Sequence, residues 1–191
     1  MTQLEDVLTI RNIEEVRVFS VFKERAKEFA KKMIEKFSKK FNVKIIAAES
    51  SNAAVDNADI ITNVTTSKKP VFDANKVKEN VHINGVGRYT PDIVEISGDI
   101  LIEAYKIYVD TRDGAINENG DLITPIKDGL VIKEKINGKL GEVINGLIKG
   151  RENDDEMTFF KTTGSTVIDS DAAKKIYETA KAKGVGQMVD L

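Results

Sequence analysis

Apolar positions along the chain follow two different periods. Over residues 22–41 they recur every three or four positions (Phe22, Ala26, Phe29, Met33, Phe37, Phe41), with Lys and Glu between them. That spacing predicts an amphipathic helix with a solvated charged face. Elsewhere the apolar residues cluster in short runs at 16–19, 44–48, 60–64, 81–84 and 107–109, with a further candidate at 157–161. Continuous runs of this length read as strands covered on both faces. Residues 2–11 have helical character, 51–57 are a short helix candidate, and 111–118 and 138–148 read as helical. The polar stretch 150–156 (GRENDDE) reads as a solvated acidic turn. The last helix is expected over 169–182, with Ala172, Ala173, Ile176 and Ala180 on one face and Asp169 as its cap.

Strands alternating with helices imply right-handed crossovers. The expected fold class is therefore α/β, a Rossmann-like doubly wound, mainly parallel sheet. The 191 residues suffice for one sizeable domain, and 41% hydrophobic with 31% charged residues allows a buried core beneath a hydrated surface. The absence of Cys excludes a disulfide scaffold and a thiol nucleophile, and a single His excludes a His cluster for metal. A net charge of −2 gives no electrostatic case for nucleic acid. No apolar run approaches membrane-spanning length and the N-terminus has no apolar leader segment, so a soluble, cytoplasmic protein without membrane partner or metal is expected.

A parallel sheet of this kind binds ligands beyond the carboxyl ends of its strands. Those positions hold Ser20 after the first strand, Thr65, Thr66 and Ser67 after the third, and Gly85, Val86 and Gly87 after the fourth. Small and hydroxyl side chains there suit close approach of a flat cofactor, and they suit ordinary turns equally well. The G-x-G-x-x-G turn that would carry a pyrophosphate is not found. The chain opens instead on a segment resembling the helix that follows such a turn, so the sheet is expected to be incomplete at its N-terminus. His82, between Val81 and Ile83, reads as a structural strand residue, and Asp110 and Asp121 read as caps or turn residues.

Several segments together resemble one family: ADIITNVTTS (58–67), VHINGVG (81–87) and DDEMTFFKTTG (154–164), with GDLITPI (120–126) and LGEVING (140–146) between them. Their unbroken order is similar to the ornithine cyclodeaminase/mu-crystallin family, which includes ornithine cyclodeaminases, ketimine or cyclic-imine reductases and archaeal-type alanine dehydrogenases. The resemblance implies an NAD(P)-binding portion of an enzyme acting on small amino or imino acids. It divides the chain into a truncated Rossmann domain (1–165) and a C-terminal helix and tail (166–191) that would pack on an N-terminal substrate and dimerisation domain. That further domain would supply the substrate-gripping groups and the family homodimer. A separately encoded N-terminal half is one form of this expectation, with weak or no turnover by the present chain alone. A non-catalytic small-molecule or cofactor binder, or an inactive fragment of a split gene, is the alternative.

By the same resemblance, Ser20, Val21 and Phe22 lie where the family contacts the adenosine ribose, Val64, Thr65 and Thr66 line the cofactor, Val86 lies against the nicotinamide, and Thr162 offers a hydroxyl contact. Ser20 brings no negative charge to repel a 2′-phosphate, and Lys23 and Arg25 follow it. This tilts the expected cofactor from NAD toward NADP, unless both cations are merely solvated. Tyr89 occupies the position of the cyclodeaminase catalytic aspartate. A phenol with a pKa of about 10 is a poor base at neutral pH, which argues against ornithine cyclodeaminase activity; Tyr89 reads first as a pocket-lining or packing aromatic, and in a reductase acting on a preformed imine it is the candidate proton donor.

Overall fold

The computed structural model describes residues 2–87, 90–187 and 189. In chain order the elements are α1 (Thr2–Ile10), β1 (Glu15–Val18), α2 (Lys23–Phe37), β2 (Lys44–Ala47), α3 (Ser51–Val55), β3 (Ile60–Asn63) and β4 (His82–Gly85). They continue with α4 (Gly98–Glu103), β5 (Lys106–Val109), α5 (Arg112–Glu118), α6 (Gly120–Lys127), β6 (Ile136–Lys139), α7 (Leu140–Ile144), β7 (Thr158–Lys161) and α8 (Thr166–Lys183).

Every strand pair among the described residues is parallel. The strands form two hydrogen-bonded groups, β1-β2 and the five-stranded β3-β4-β7-β5-β6. The last strand in sequence thus lies in the middle of the larger sheet. Central strands lose water on both faces, which is why all four residues of β5 are buried and Phe159 of β7 is fully enclosed. A large core of Ile83, Ile96, Ile100, Leu101, Ile107, Leu122 and Phe159 packs about this sheet. A smaller core joins Leu8 of α1, Ala30, Met33 and Phe37 of α2 and Ile45 of β2. Arg17 of β1 is tied to α3 and its C-cap: its Nη1 donates to the carbonyls of Asp56 (2.5 Å) and Ala53 (3.3 Å).

Several expectations need correction. The expected helix over 138–148 begins as strand: β6 carries Gly138 and Lys139, and only Leu140–Ile144 is helical. As an edge strand β6 alternates buried and exposed residues, so it lacks the continuous apolar run of its neighbours. Helix α8 begins at Thr166 with Ser165 in the N-cap position, leaving Asp169 within its first turn rather than capping it. Its apolar stripe is bare: no residue of α8 is buried, and Ile176 is 69% exposed. The acidic turn is not uniformly solvated either. Glu156 is buried and lies 3.2 Å from Lys106 Nζ, because Lys106 starts a central strand and needs a counter-charge there.

Candidate functional site

Register sets the geometry at the carboxyl ends of the large sheet. Asn63, Gly85, Lys161 and Val109 end β3, β4, β7 and β5, and each is the register partner of its neighbour. The four strands therefore stop on one level. Backbone hydrogen bonds extend the row by one residue: Val86 N–H donates to the Asn63 carbonyl (2.8 Å), Thr162 N–H to that of Gly85 (3.1 Å) and Asp110 N–H to that of Lys161 (3.2 Å). Val86, Thr162 and Asp110 are thus fixed side by side, while Val64, Thr65 and Thr66 leave β3 at the same level and are exposed.

Gly85 is required where the chain passes its neighbours. A methyl group on it would come within 2.9 Å of Lys161 Cδ and 3.2 Å of the Phe159 ring. Thr65 N–H donates to Glu95 Oε1 at 2.6 Å, which ties the exit of β3 to a buried side chain. Beyond β7, the Asp110 carboxylate accepts from Thr162 Oγ1 (2.7 Å), Thr163 N–H (2.7 Å), Gly164 N–H (2.9 Å) and Thr111 N–H (2.7 Å). Asp110 therefore does far more than end a turn. It orients Thr162, whose hydroxyl proton is already committed to it.

Ser20, Val21 and Phe22 stand apart from this row. They follow β1 in the two-stranded group, which shares no ladder with the large sheet among the described residues. Ser20 Oγ accepts from Phe22 N–H (3.2 Å), and Val21 is 81% exposed. Of the two expected cations, Lys23 lies 3.6 Å from Glu49 and Arg25 stacks over the Phe22 ring at 4.5 Å. Tyr89 lies outside the described residues. His82 sits at the opposite, entry end of β4. Its Nδ1 is 2.7 Å from Thr158 Oγ1 and its Nε2 3.1 Å from Asn84 Oδ1. Burial depresses its pKa, and the Asn84 contact opposes that shift. This suits a neutral structural ring.

Sequence reasoning singled out neither Glu95 nor Lys161 and gave Asp121 only a cap or turn. All three side chains are fully buried behind the row of strand ends, with Lys161 Nζ 2.9 Å from Asp121 Oδ2 and 3.9 Å from Glu95 Oε2. Each stands beside apolar neighbours in the sequence, which is the available signal.

The profile of the ornithine cyclodeaminase/mu-crystallin family matches residues 1–184. The chain belongs to this family. Within the family it is 38% identical over 186 residues to a Delta(1)-pyrroline-2-carboxylate reductase of Bacillus thuringiensis subsp. konkukian, covering 97% of this chain and 56% of that protein. The Thermococcus litoralis Delta(1)-pyrroline-2-carboxylate reductase, solved in complex with NADH and L-proline, superposes with a TM-score of 0.93. It is 37% identical, over 98% of this chain and 57% of that one. An archaeal alanine dehydrogenase dimer with bound NAD gives a TM-score of 0.88 at 32% identity, over 99% and 56%. The chain thus spans little more than half the length of these relatives, and it shares its Rossmann-type α/β fold with proteins solved with NADH or NAD bound. No helix among the described residues is long and apolar enough to cross a membrane.

Proposed function

We propose that this chain is the nicotinamide-dinucleotide-binding part of an oxidoreductase that acts on a small imino or amino acid. Reduction of a preformed cyclic imine is the favoured reaction. The observation that carries this reading is the level row of strand ends, with exposed Val64, Thr65 and Thr66, half-buried Val86 and Thr162 oriented by Asp110. These residues fit the lining of a flat ring and its ribose. The family's glycine-rich turn is not in this sequence, so no pyrophosphate contact is assigned.

When bound, the dinucleotide supplies or accepts a hydride. The protein's own part is to present a flat apolar wall at Val64 and Val86 and to hold the segment at Thr162 in one orientation. Proton donation to the imine is assigned to Tyr89, from the acidity of its phenol and its place at the family's aspartate position. Ser20, Val21 and Phe22 are assigned to the adenosine ribose. Ser20 brings no carboxylate to that ribose, and Lys23 and Arg25 are already engaged by Glu49 and Phe22. This supports acceptance of either NADH or NADPH rather than a strong preference for the phosphorylated form.

Residues 1–165 form the cofactor unit in this reading. Residues 166–191 dock on the further domain that longer relatives carry, which supplies the substrate-gripping groups and the dimer contacts. The bare face of α8, with Val167, Ile168, Ile176 and Tyr177 exposed, supports that assignment. Fluorescence titration of the chain with NADH and with NADPH tests the cofactor reading. Saturable binding of both within about tenfold of each other (roughly 1.4 kcal/mol) is expected. No saturable binding of either would overturn it.

A further inference from the structure

Three fully buried charged side chains meet beneath the strand ends, and the proposed chemistry gives none of them a task. Asp121, in the first turn of α6, accepts from the backbone N–H groups of Glu95 (2.5 Å) and Ile96 (3.0 Å) through Oδ1. Its Oδ2 lies 2.9 Å from Lys161 Nζ. Glu95 directs Oε1 at the Thr65 N–H (2.6 Å) and Oε2 toward Lys161 (3.9 Å). Two carboxylates thus share one ammonium with no exposure to water. Isolated charges are costly in such a place, so they persist where they hold one another.

Glu95 is the member that reaches the site. On one side it accepts from the chain leaving β3. On the other it fills the space beside Gly87, where even a methyl group would overlap its carboxylate. One carboxylate therefore braces the two segments, 64–66 and 86–87, that flank each other at the ends of β3 and β4. We infer that Glu95 is a positioning residue for the dinucleotide: anchored by Lys161 and by Asp121, it fixes the backbone of Thr65 against that of Gly87, so that Val64 and Val86 hold one relative placement. The inference rests on the cofactor reading of those segments. Burial raises the Glu95 pKa, while the Thr65 contact and Lys161 oppose the shift and Asp121 adds to it, which agrees with a group held for its geometry rather than its charge.

The test pairs backbone hydrogen exchange with NADH titration on the wild-type chain, Glu95→Ala, Glu95→Gln and Gly87→Ala. Glu95→Ala removes the acceptor, so exchange at the Thr65 amide and the NADH Kd are each expected to rise by about tenfold, the effect of one lost hydrogen bond to a charged or buried acceptor. Exchange in β6, at the far edge of the sheet, should stay as it is. Glu95→Gln keeps an oxygen for Thr65 and should return both quantities to within about threefold of wild type. A merely structural role would give no such rescue. Gly87→Ala pushes the carboxylate aside from the other direction and should reproduce the alanine result, which covers the case in which Glu95→Ala does not fold.

Wild-type NADH binding with unchanged Kd and unchanged Thr65 exchange in folded Glu95→Ala or Gly87→Ala would overturn the inference. So would equal losses in Glu95→Ala and Glu95→Gln. Failure of the wild-type chain itself to bind NADH is a different result, and it would overturn the cofactor reading and the positioning role together.

Discussion

Asp110 offers the most direct check on how the site is held. Its carboxylate accepts from the N–H groups of Thr111, Thr163 and Gly164 and from Thr162 Oγ1 at 2.7–2.9 Å, and from Thr163 Oγ1 at 3.2 Å, and so joins the end of β5 to the segment after β7. Asp110→Ala removes all of these acceptances at once. Thr162 and Thr163 are half-buried, whereas Gly164 is exposed and its N–H can turn to water. At about 1 kcal/mol for each half-buried donor and less for the exposed ones, the cost is about 2–3 kcal/mol. For a chain of this size each kcal/mol lowers Tm by about 2–4 °C, so a fall of roughly 4–12 °C is expected. Asp110→Asn keeps one acceptor oxygen but turns an NH2 group toward donors, and should recover less than half of the loss. Urea denaturation followed by circular dichroism gives the free energy, and NADH titration of the folded variants should show weaker binding. A change below about 0.5 kcal/mol for Asp110→Ala, within the range of ordinary surface substitutions, would mean that water replaces the carboxylate and that Thr162 is placed by the sheet alone.

Three further outcomes follow from one exposed ion pair and two buried side chains. The Glu152 carboxyl is held down at about 2, from an ordinary value of 4.5, by its contacts with Lys106 and Lys149. Its lowered folded value contributes stability above pH 4.5 that is lost as pH falls toward 2, so acid titration of stability should be steeper in wild type than in Glu152→Gln; parallel curves would refute the pairing. Glu95 behaves oppositely. Burial raises its carboxyl against the pull of Thr65 and Lys161, so the folded chain holds the proton more tightly than the unfolded one, and stability should fall as pH rises from the ordinary carboxylate value through the raised one. Glu95→Gln, still facing Lys161 and Asp121, should flatten that decline, and an equal decline would refute it. Phe159→Ala empties a fully buried site in the central strand and should cost about 3–5 kcal/mol in chemical denaturation; a loss under about 1 kcal/mol would mean that the core collapses into the space.

The strands that sequence made legible are those that carry adjacent apolar residues. KIYV, buried at all four positions, and KIIA and IITN, each with adjacent isoleucines, announce themselves as continuous apolar runs. INGK of β6 does not, because its apolar and polar residues alternate and leave Asn137 and Lys139 in solvent. The apolar runs located the strand-end segments, the family resemblance picked out residues within them, and the register then showed which share a row. The groups that hold the site were not legible as such, since their partners are distant in sequence. Asp110 reaches residues 52 to 54 positions away, and Glu95 reaches Thr65 across 30. No local period encodes such a contact.

A weaker signature was nonetheless present: single charges set among apolar neighbours. Glu95 follows Ile93 and Val94 and precedes Ile96, Lys161 ends TFFK, and Lys106 opens KIYV. Once the order of strands is known, these charges explain why β7 occupies the centre in one register. At its entry end Lys106, the register partner of Thr158, meets Glu156; at its exit Lys161 meets Asp121. A slip of β7 by one residue would turn Phe159 to the other face of the sheet and part both buried pairs together. Apolar pattern alone would tolerate more than one placement of TFFK beside its neighbours. Paired charges at both ends select one, and that one brings Thr162 level with Val86 and Asp110.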